Sequence, residues 1–150
     1  MIRDDIKAAQ IAAMKARDTA TVNATRLIQA AIKNRDIELR TASTTPDDDL
    51  MVTEVLQKMI KQRRESIEMF EKGGRQELAD AEKAEVEVIE RFLPAQMSDE
   101  DAALAIDAIA TELGASSVRD MGRVMAALKE RHAGQLDMSK ASALVKARLS

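Results

Sequence analysis

The chain has no cysteine, tryptophan or tyrosine, and only one histidine, two prolines and two phenylalanines among 150 residues. Each shortage excludes something. Without cysteine there can be no disulfide, thiolate metal site or thiol nucleophile, and a reducing, cytoplasmic setting is expected. One imidazole, His132, leaves no histidine pair for a metal and no Glu-x-x-His set of the di-iron kind, so no metal site is expected. Phe70 and Phe92 are the only aromatics, too few for a platform on which unpaired bases stack. The core must then come from Ala, Leu, Ile, Val and Met, a palette suited to helices packed on helices. No apolar run approaches the ~18–20 residues that span a bilayer. The start, Met1-Ile2-Arg3-Asp4-Asp5-Ile6-Lys7, is unlike a signal peptide, so no membrane contact is expected. No glycine-rich phosphate cradle occurs. Neither a cofactor nor a small-molecule substrate is expected.

What remains is a chain that is 33% charged with a net charge of −3, composition for exposed helix faces rather than for a dedicated nucleic-acid binder. The charge is uneven. From Gly114 to Ser150, seven Lys/Arg stand against three acids, a local net of +4.

Apolar spacing predicts seven helices and no strand. The first covers 2–16. The second follows an Asp18 cap and runs to about Leu39. A third begins at Thr45-Pro46-Asp47-Asp48-Asp49, with Thr45 as cap and Pro46 in the first helical position, and stops at Gly73-Gly74. The fourth spans Gln76 to Phe92, ahead of Pro94. Ser98 caps a fifth, which Gly114 closes. Residues 117–131 form the sixth and 139–149 the seventh. The fold expected is all-α: an N-terminal helical hairpin or bundle over 1–94, then a small three-helix bundle over 98–150.

Chemistry-bearing patterns are sparse. Glu82, Glu85, Glu87 and Glu90 crowd the fourth helix, where a solvated acidic face is the plainer reading than a metal site. Ser116 and Ser117 sit where a helix cap belongs, and no base or oxyanion hole accompanies them. No catalytic residue is assigned. Arg63 and Arg35 interrupt apolar stripes, as does Glu85. An ion on a packing face normally has a partner, so a buried pair of Glu85 with Arg63 or Arg35 is expected, serving register.

The segment from Ser116 to Leu128 is the strongest site candidate. Val118, Met121, Met125 and Leu128 read as its core stripe. Gly122 and Ala126 make a small-xxx-small pair, expected to let another helix pack closely. Arg119 and Arg123 are four apart beside that glycine. With Lys129, Arg131, Lys140, Lys146 and Arg148 they form a candidate surface for RNA phosphates or an acidic partner.

Several stretches, in order, resemble the YqeY family: Arg26-Leu27-Ile28-Gln29-Ala30-Ala31-Ile32-Lys33-Asn34, Gln62-Arg63-Arg64-Glu65-Ser66-Ile67-Glu68-Met69-Phe70, Gly74-Arg75-Gln76-Glu77-Leu78-Ala79, Leu93-Pro94-Ala95-Gln96-Met97-Ser98 and Gly122-Arg123-Val124-Met125. From about residue 114 the chain is also similar to the tail domain of the B subunit of the tRNA-dependent amidotransferase. The resemblance implies an all-α fold with a C-terminal three-helix module, and a link to tRNA or a tRNA-handling protein. It also brings a family label, carbon–nitrogen ligase with glutamine as amide donor, which belongs to the body of the larger enzyme. The chain departs from its relatives between the last two helices: Ala133-Gly134-Gln135-Leu136-Asp137-Met138 carries no cation where they tend to be basic, and phosphate affinity scales with cation number. A non-catalytic accessory that binds tRNA or a tRNA-handling protein is the leading expectation. A protein-interaction module without RNA contact is the other.

Overall fold

The computed structural model describes residues 1–150. Seven α-helices and one 3-10 turn make up the regular structure, and there is no strand: α1 (Ile2–Ala16), α2 (Thr19–Leu39), α3 (Asp48–Lys72), α4 (Gln76–Glu90), α5 (Asp99–Leu113), the turn Val118–Asp120, α6 (Met121–Arg131) and α7 (Met138–Leu149). The chain divides into two compact units, Met1–Leu93 and Pro94–Ser150.

Local signals place most helix ends. The Asp18 carboxylate accepts from the Thr21 N–H, and Ser98 Oγ accepts from the Asp101 N–H, each satisfying a donor that an α-helix leaves free at its start. Gly114 ends α5 with φ +65°, a left-handed conformation that costs glycine nothing. Arg17 ends α1 at φ 57°, where a side chain is strained. The third helix differs from expectation. Thr45 and Pro46 lie outside it, and Asp47 is the cap, its side chain accepting from the Leu50 N–H. An aspartate satisfies that donor with a charge aligned to the macrodipole, so the helix starts two residues later than the proline suggested.

In the first unit α3 lies along α4, with α1 and α2 against them. The core is aliphatic: Ile6, Ile28, Ile32, Met51, Val52, Leu56, Met59, Ile60, Val86 and Ile89 are buried together. The second unit encloses Ile106, Ile109, Ala110, Val124, Leu128, Leu136, Ala141, Val145 and Leu149. Leu136 belongs to the α6–α7 loop, whose polar composition gives no sign of a core residue. The same loop is stitched to the start of its unit: the Met97 N–H donates to the Gln135 carbonyl at 2.8 Å, and Gln96 Nε2 donates to the Gly134 carbonyl at 2.7 Å.

A polar corner fastens α1 to two partners. Arg3 donates to both oxygens of Asp36 on α2 (2.8 and 3.0 Å) and to both of Asp48 on α3 (2.8 and 3.3 Å). The Ile2 N–H adds a bond to Asp49 Oδ1 at 2.9 Å. One guanidinium thus ties three helices in fork geometry. Hydrogen bonds from Arg3 are the main cause holding the Asp36 carboxyl below the usual aspartate range. A folded pKa below the unfolded value stabilises at pH above the unfolded pKa, about 3.9 for aspartate, and that contribution is lost as pH falls through the folded pKa. Arg3→Gln should therefore lower protection of α1 amides from hydrogen exchange at pH 7 by about 1 kcal/mol, discounted for the corner's exposure. The difference from wild type should shrink below about pH 4. Equal protection at pH 7 would show that the corner does not hold α1.

Candidate functional site

The buried charge of the first unit lies between α3 and α4. Arg63, on α3, is 15% exposed in its side chain, and its Nε donates to Glu85 Oε2 at 2.8 Å. Glu82, one turn earlier on α4, lies 3.9 Å from the same nitrogen, and Arg63 Nη1 also reaches the Met59 carbonyl. The arginine therefore lies between the two stripes with Nε and Nη1 hydrogen-bonded. Arg35 takes no part: it pairs with Glu38 on its own helix, at the surface. Glu90 is bound by Arg64. Of the glutamates crowding α4, those at 82, 85 and 90 thus answer α3 arginines and hold the α3–α4 register. A cycle of Arg63→Ala and Glu85→Ala should return a coupling of about 1 kcal/mol or more in urea unfolding, with Arg35→Ala and Glu85→Ala additive. Additivity for the first pair would remove the register role.

The Ser116–Leu128 segment differs from its expected form. It is not one helix. Val118–Asp120 is a 3-10 turn, and α6 begins at Met121. Ser117 is the cap, as expected of the serines, and shares a capping box with Asp120, whose carboxylate accepts from the Ser116 and Ser117 N–H groups at 3.1 and 3.4 Å. Arg123 donates to the same carboxylate at 2.7 Å. That bond, followed by the backbone donors, holds the Asp120 carboxyl below its ordinary range.

The close-packing role of Gly122 and Ala126 is corrected. Both residues are exposed, and a Cβ placed on Gly122 would meet nothing within 4 Å. The inward side of α6 is centred on Val124 and Leu128, with Met121 and Met125 at the rim, and Val118, in the 3-10 turn, is 46% exposed. Positions 122 and 126 then fall on the solvent side.

The seven candidate cations split into two groups. Arg123 is held by Asp120. Arg131 makes a two-pronged bond to Glu112 (2.7 and 2.8 Å), Arg148 bonds Asp107 at 2.7 Å, and Lys140 pairs with Asp99. The last three acids all lie on α5. Arg119, Lys129 and Lys146 are exposed and make no salt bridge within the chain. Across Pro94–Ser150, eight acids face seven Lys/Arg, a net of −1, so the local +4 is cancelled in space by α5. Elsewhere, His132 caps α6 and its Nδ1 lies 3.1 Å from Gln135 Oε1. A groove of about 230 Å³ is lined in part by Asp36, Arg40, Pro46 and Met51, beside the Arg3 corner. Its Asp36 and Asp48 carboxylates are occupied by Arg3. The Arg3 corner is invisible to local sequence patterns because its partners lie 33 and 45 residues away. The only hint is the density of acids at the start of α3.

The exposure of Gly122 sets the sign of a test. Gly122→Ala should stabilise the protein by about 0.5–1 kcal/mol in urea unfolding, since alanine suits a helix and has room here. Destabilisation would restore the packing role.

Comparison with known proteins identifies the lineage. A family model described as "Yqey-like protein" matches residues 3–149. Relatives named "Altered inheritance of mitochondria protein 41, mitochondrial" are 33% identical over 114 residues in Eremothecium gossypii, covering 75% of this chain and 58% of that protein. In Saccharomyces cerevisiae (strain YJM789) the relative is 29% identical over 125 residues, covering 79% of this chain and 64% of that one. In Lachancea thermotolerans it is 33% identical over 92 residues, covering 61% and 46%. This chain spans less than two thirds of the length of these relatives. Their mitochondrial names overturn the expectation of a cytoplasmic protein. Absence of cysteine points to a reducing setting at most, and does not distinguish one compartment from another. With nearly its whole length matched, the chain belongs to the Yqey-like protein family.

Proposed function

We propose that this chain is a non-catalytic binding protein that holds tRNA by its phosphate backbone through Pro94–Ser150. One observation carries the reading: Arg119, Lys129 and Lys146 project from that unit with no internal acid to neutralise them. Free cations on a small helical unit suit phosphate contacts, which position an RNA without reading its bases. The scarcity of aromatics points the same way, since backbone and shape contacts need no stacking residues. The resemblance of this unit to the amidotransferase tail supplies tRNA as the RNA class. The carbon–nitrogen ligase label is not carried over, because no residues here form a nucleophile and base set.

A second reading, a protein-interaction unit without RNA contact, is favoured by the net charge of −1 over Pro94–Ser150 and by the four cations already bound to acids.

Salt dependence separates the two. Binding of a mixed tRNA pool should weaken steeply from about 50 to 200 mM salt. Replacing Arg119, Lys129 and Lys146 with Gln should flatten the log–log slope by about 2 to 3, the share of three phosphate contacts. Absence of tRNA binding at the lower salt concentration would overturn the RNA reading and leave the protein-partner reading standing.

A further inference from the structure

The first unit carries a charged face that none of its packing uses. Along the outer side of α2, Asn23, Arg26, Leu27, Ala30, Lys33, Asn34, Ile37 and the C-cap residue Arg40 are all exposed. The backbone of Arg40 stays helical (φ −59°, ψ −29°), so the row continues through it. None of these is acidic, and the one exposed acid of α2, Glu38, lies beside them. Arg26, Lys33 and Arg40 recur every seven residues, which keeps them on one side of the helix at steps of about 10 Å. None of the three makes a salt bridge. The nearest acids are hydrogen-bonded elsewhere, Asp36 by Arg3 and Glu38 by Arg35, although Arg40 is close enough to Asp36 to attract it as well.

Many cations on this protein, though not all, have a carboxylate within reach. On α3 and α4 and at the turn between them, the arginines at 63, 64 and 75 and the lysines at 72 and 83 are all paired. Unlike those, the three cations of the α2 row make no salt bridge, and the exposed acid beside them, Glu38, is taken by Arg35. Its apolar members are a sparse stripe. Between Leu27 (44% exposed) and Ile37 (46% exposed), about 15 Å apart along the axis, only the small Ala30 intervenes, so large anchors at i, i+3, i+4 and i+7 are missing. A linear series of negative charges fits the row better. Asn23 and Asn34 beside it offer neutral amide donors to phosphate oxygens.

We propose that the outer face of α2 binds the phosphate backbone of RNA, with Arg26, Lys33 and Arg40 each neutralising a phosphate. The face belongs to Met1–Leu93 and the other free cations to Pro94–Ser150, and either could bind without the other.

The test uses the full chain and two Gln variants, one at Arg26, Lys33 and Arg40, the other at Arg119, Lys129 and Lys146. Glutamine keeps helix propensity, and all six positions are exposed, so helical circular dichroism should be unchanged. The single charge reversal Lys33→Glu serves should the α2 variant fold poorly. The probes are a mixed tRNA pool and polyglutamate of matched charge. The α2 variant should bind tRNA at least about tenfold more weakly at about 50 mM salt, with a log–log salt slope flatter by about 2. That loss in the α2 variant alone supports the inference and removes the role assigned to Pro94–Ser150. Loss in both variants supports both surfaces. Unchanged affinity and slope in the α2 variant overturn the inference, whatever the other variant does. Failure of the wild-type chain to bind tRNA overturns both. Polyglutamate binding as tight as tRNA at equal ionic strength, abolished by the α2 substitutions, overturns the assignment to RNA in favour of an acidic protein.

Discussion

Every helix of this protein keeps its place by burying an aliphatic stripe, and that constraint governs the rest. With two phenylalanines, both only partly buried, no large ring anchors either core. Burial is spread over many Ile, Val, Leu, Met and Ala side chains, each worth about 1–3 kcal/mol at most. Such stripes are nearly featureless along a helix axis, and sliding one past another changes the buried area little. Something polar has to set the register. In the first unit Arg63 does so between α3 and α4, and Arg3 does so where α1 meets α2 and α3. Both are arginines, whose planar fork meets carboxylates in fixed geometry where a lysine would not.

The same logic governs Pro94–Ser150, with the ion pairs at the surface. Arg131, Arg148 and Lys140 reach from α6 and α7 to Glu112, Asp107 and Asp99 on α5. Exposed pairs of this kind contribute little stability each. Their larger effect is on the electrostatic field. They convert a basic stretch of sequence into a nearly neutral unit and leave Arg119, Lys129 and Lys146 as its free positive charges. The first unit shows the converse on α2, where Arg26, Lys33 and Arg40 make no salt bridge. Free charge, rather than total charge, is what a polyanion meets.

The fold was largely legible in the chain because its signals are local. Helix stripes repeat every three or four residues, and caps such as Asp18, Ser98 and Gly114 act within one turn. Where Asp47 replaced Thr45 as a cap, two local signals competed and the charged one prevailed. The site was less legible. Gly122 and Ala126 suggested close packing because their spacing puts both on one side of a helix, and spacing does not say whether that side faces inward. A 3-10 turn also ends at Asp120, and nothing in the spacing of apolar residues announces a change of helical pitch. The cations presented the same difficulty. Counting charge from Gly114 onward missed the acids of α5, which are remote in sequence and close in space.

By itself, then, the sequence determined the helix count, the aliphatic composition of the cores, the division near Pro94 and the family resemblance, all of which depend on neighbours within a few turns or on ordered motifs. Only the tertiary structure decided which side of α6 faces inward, that Arg63 rather than Arg35 meets Glu85, that Arg3 closes the corner of three helices, and which cations remain free. Those outcomes depend on pairings across 19 to 45 residues. Long-range pairing is set by how stripes pack, and a charge has no partner to choose until they have packed.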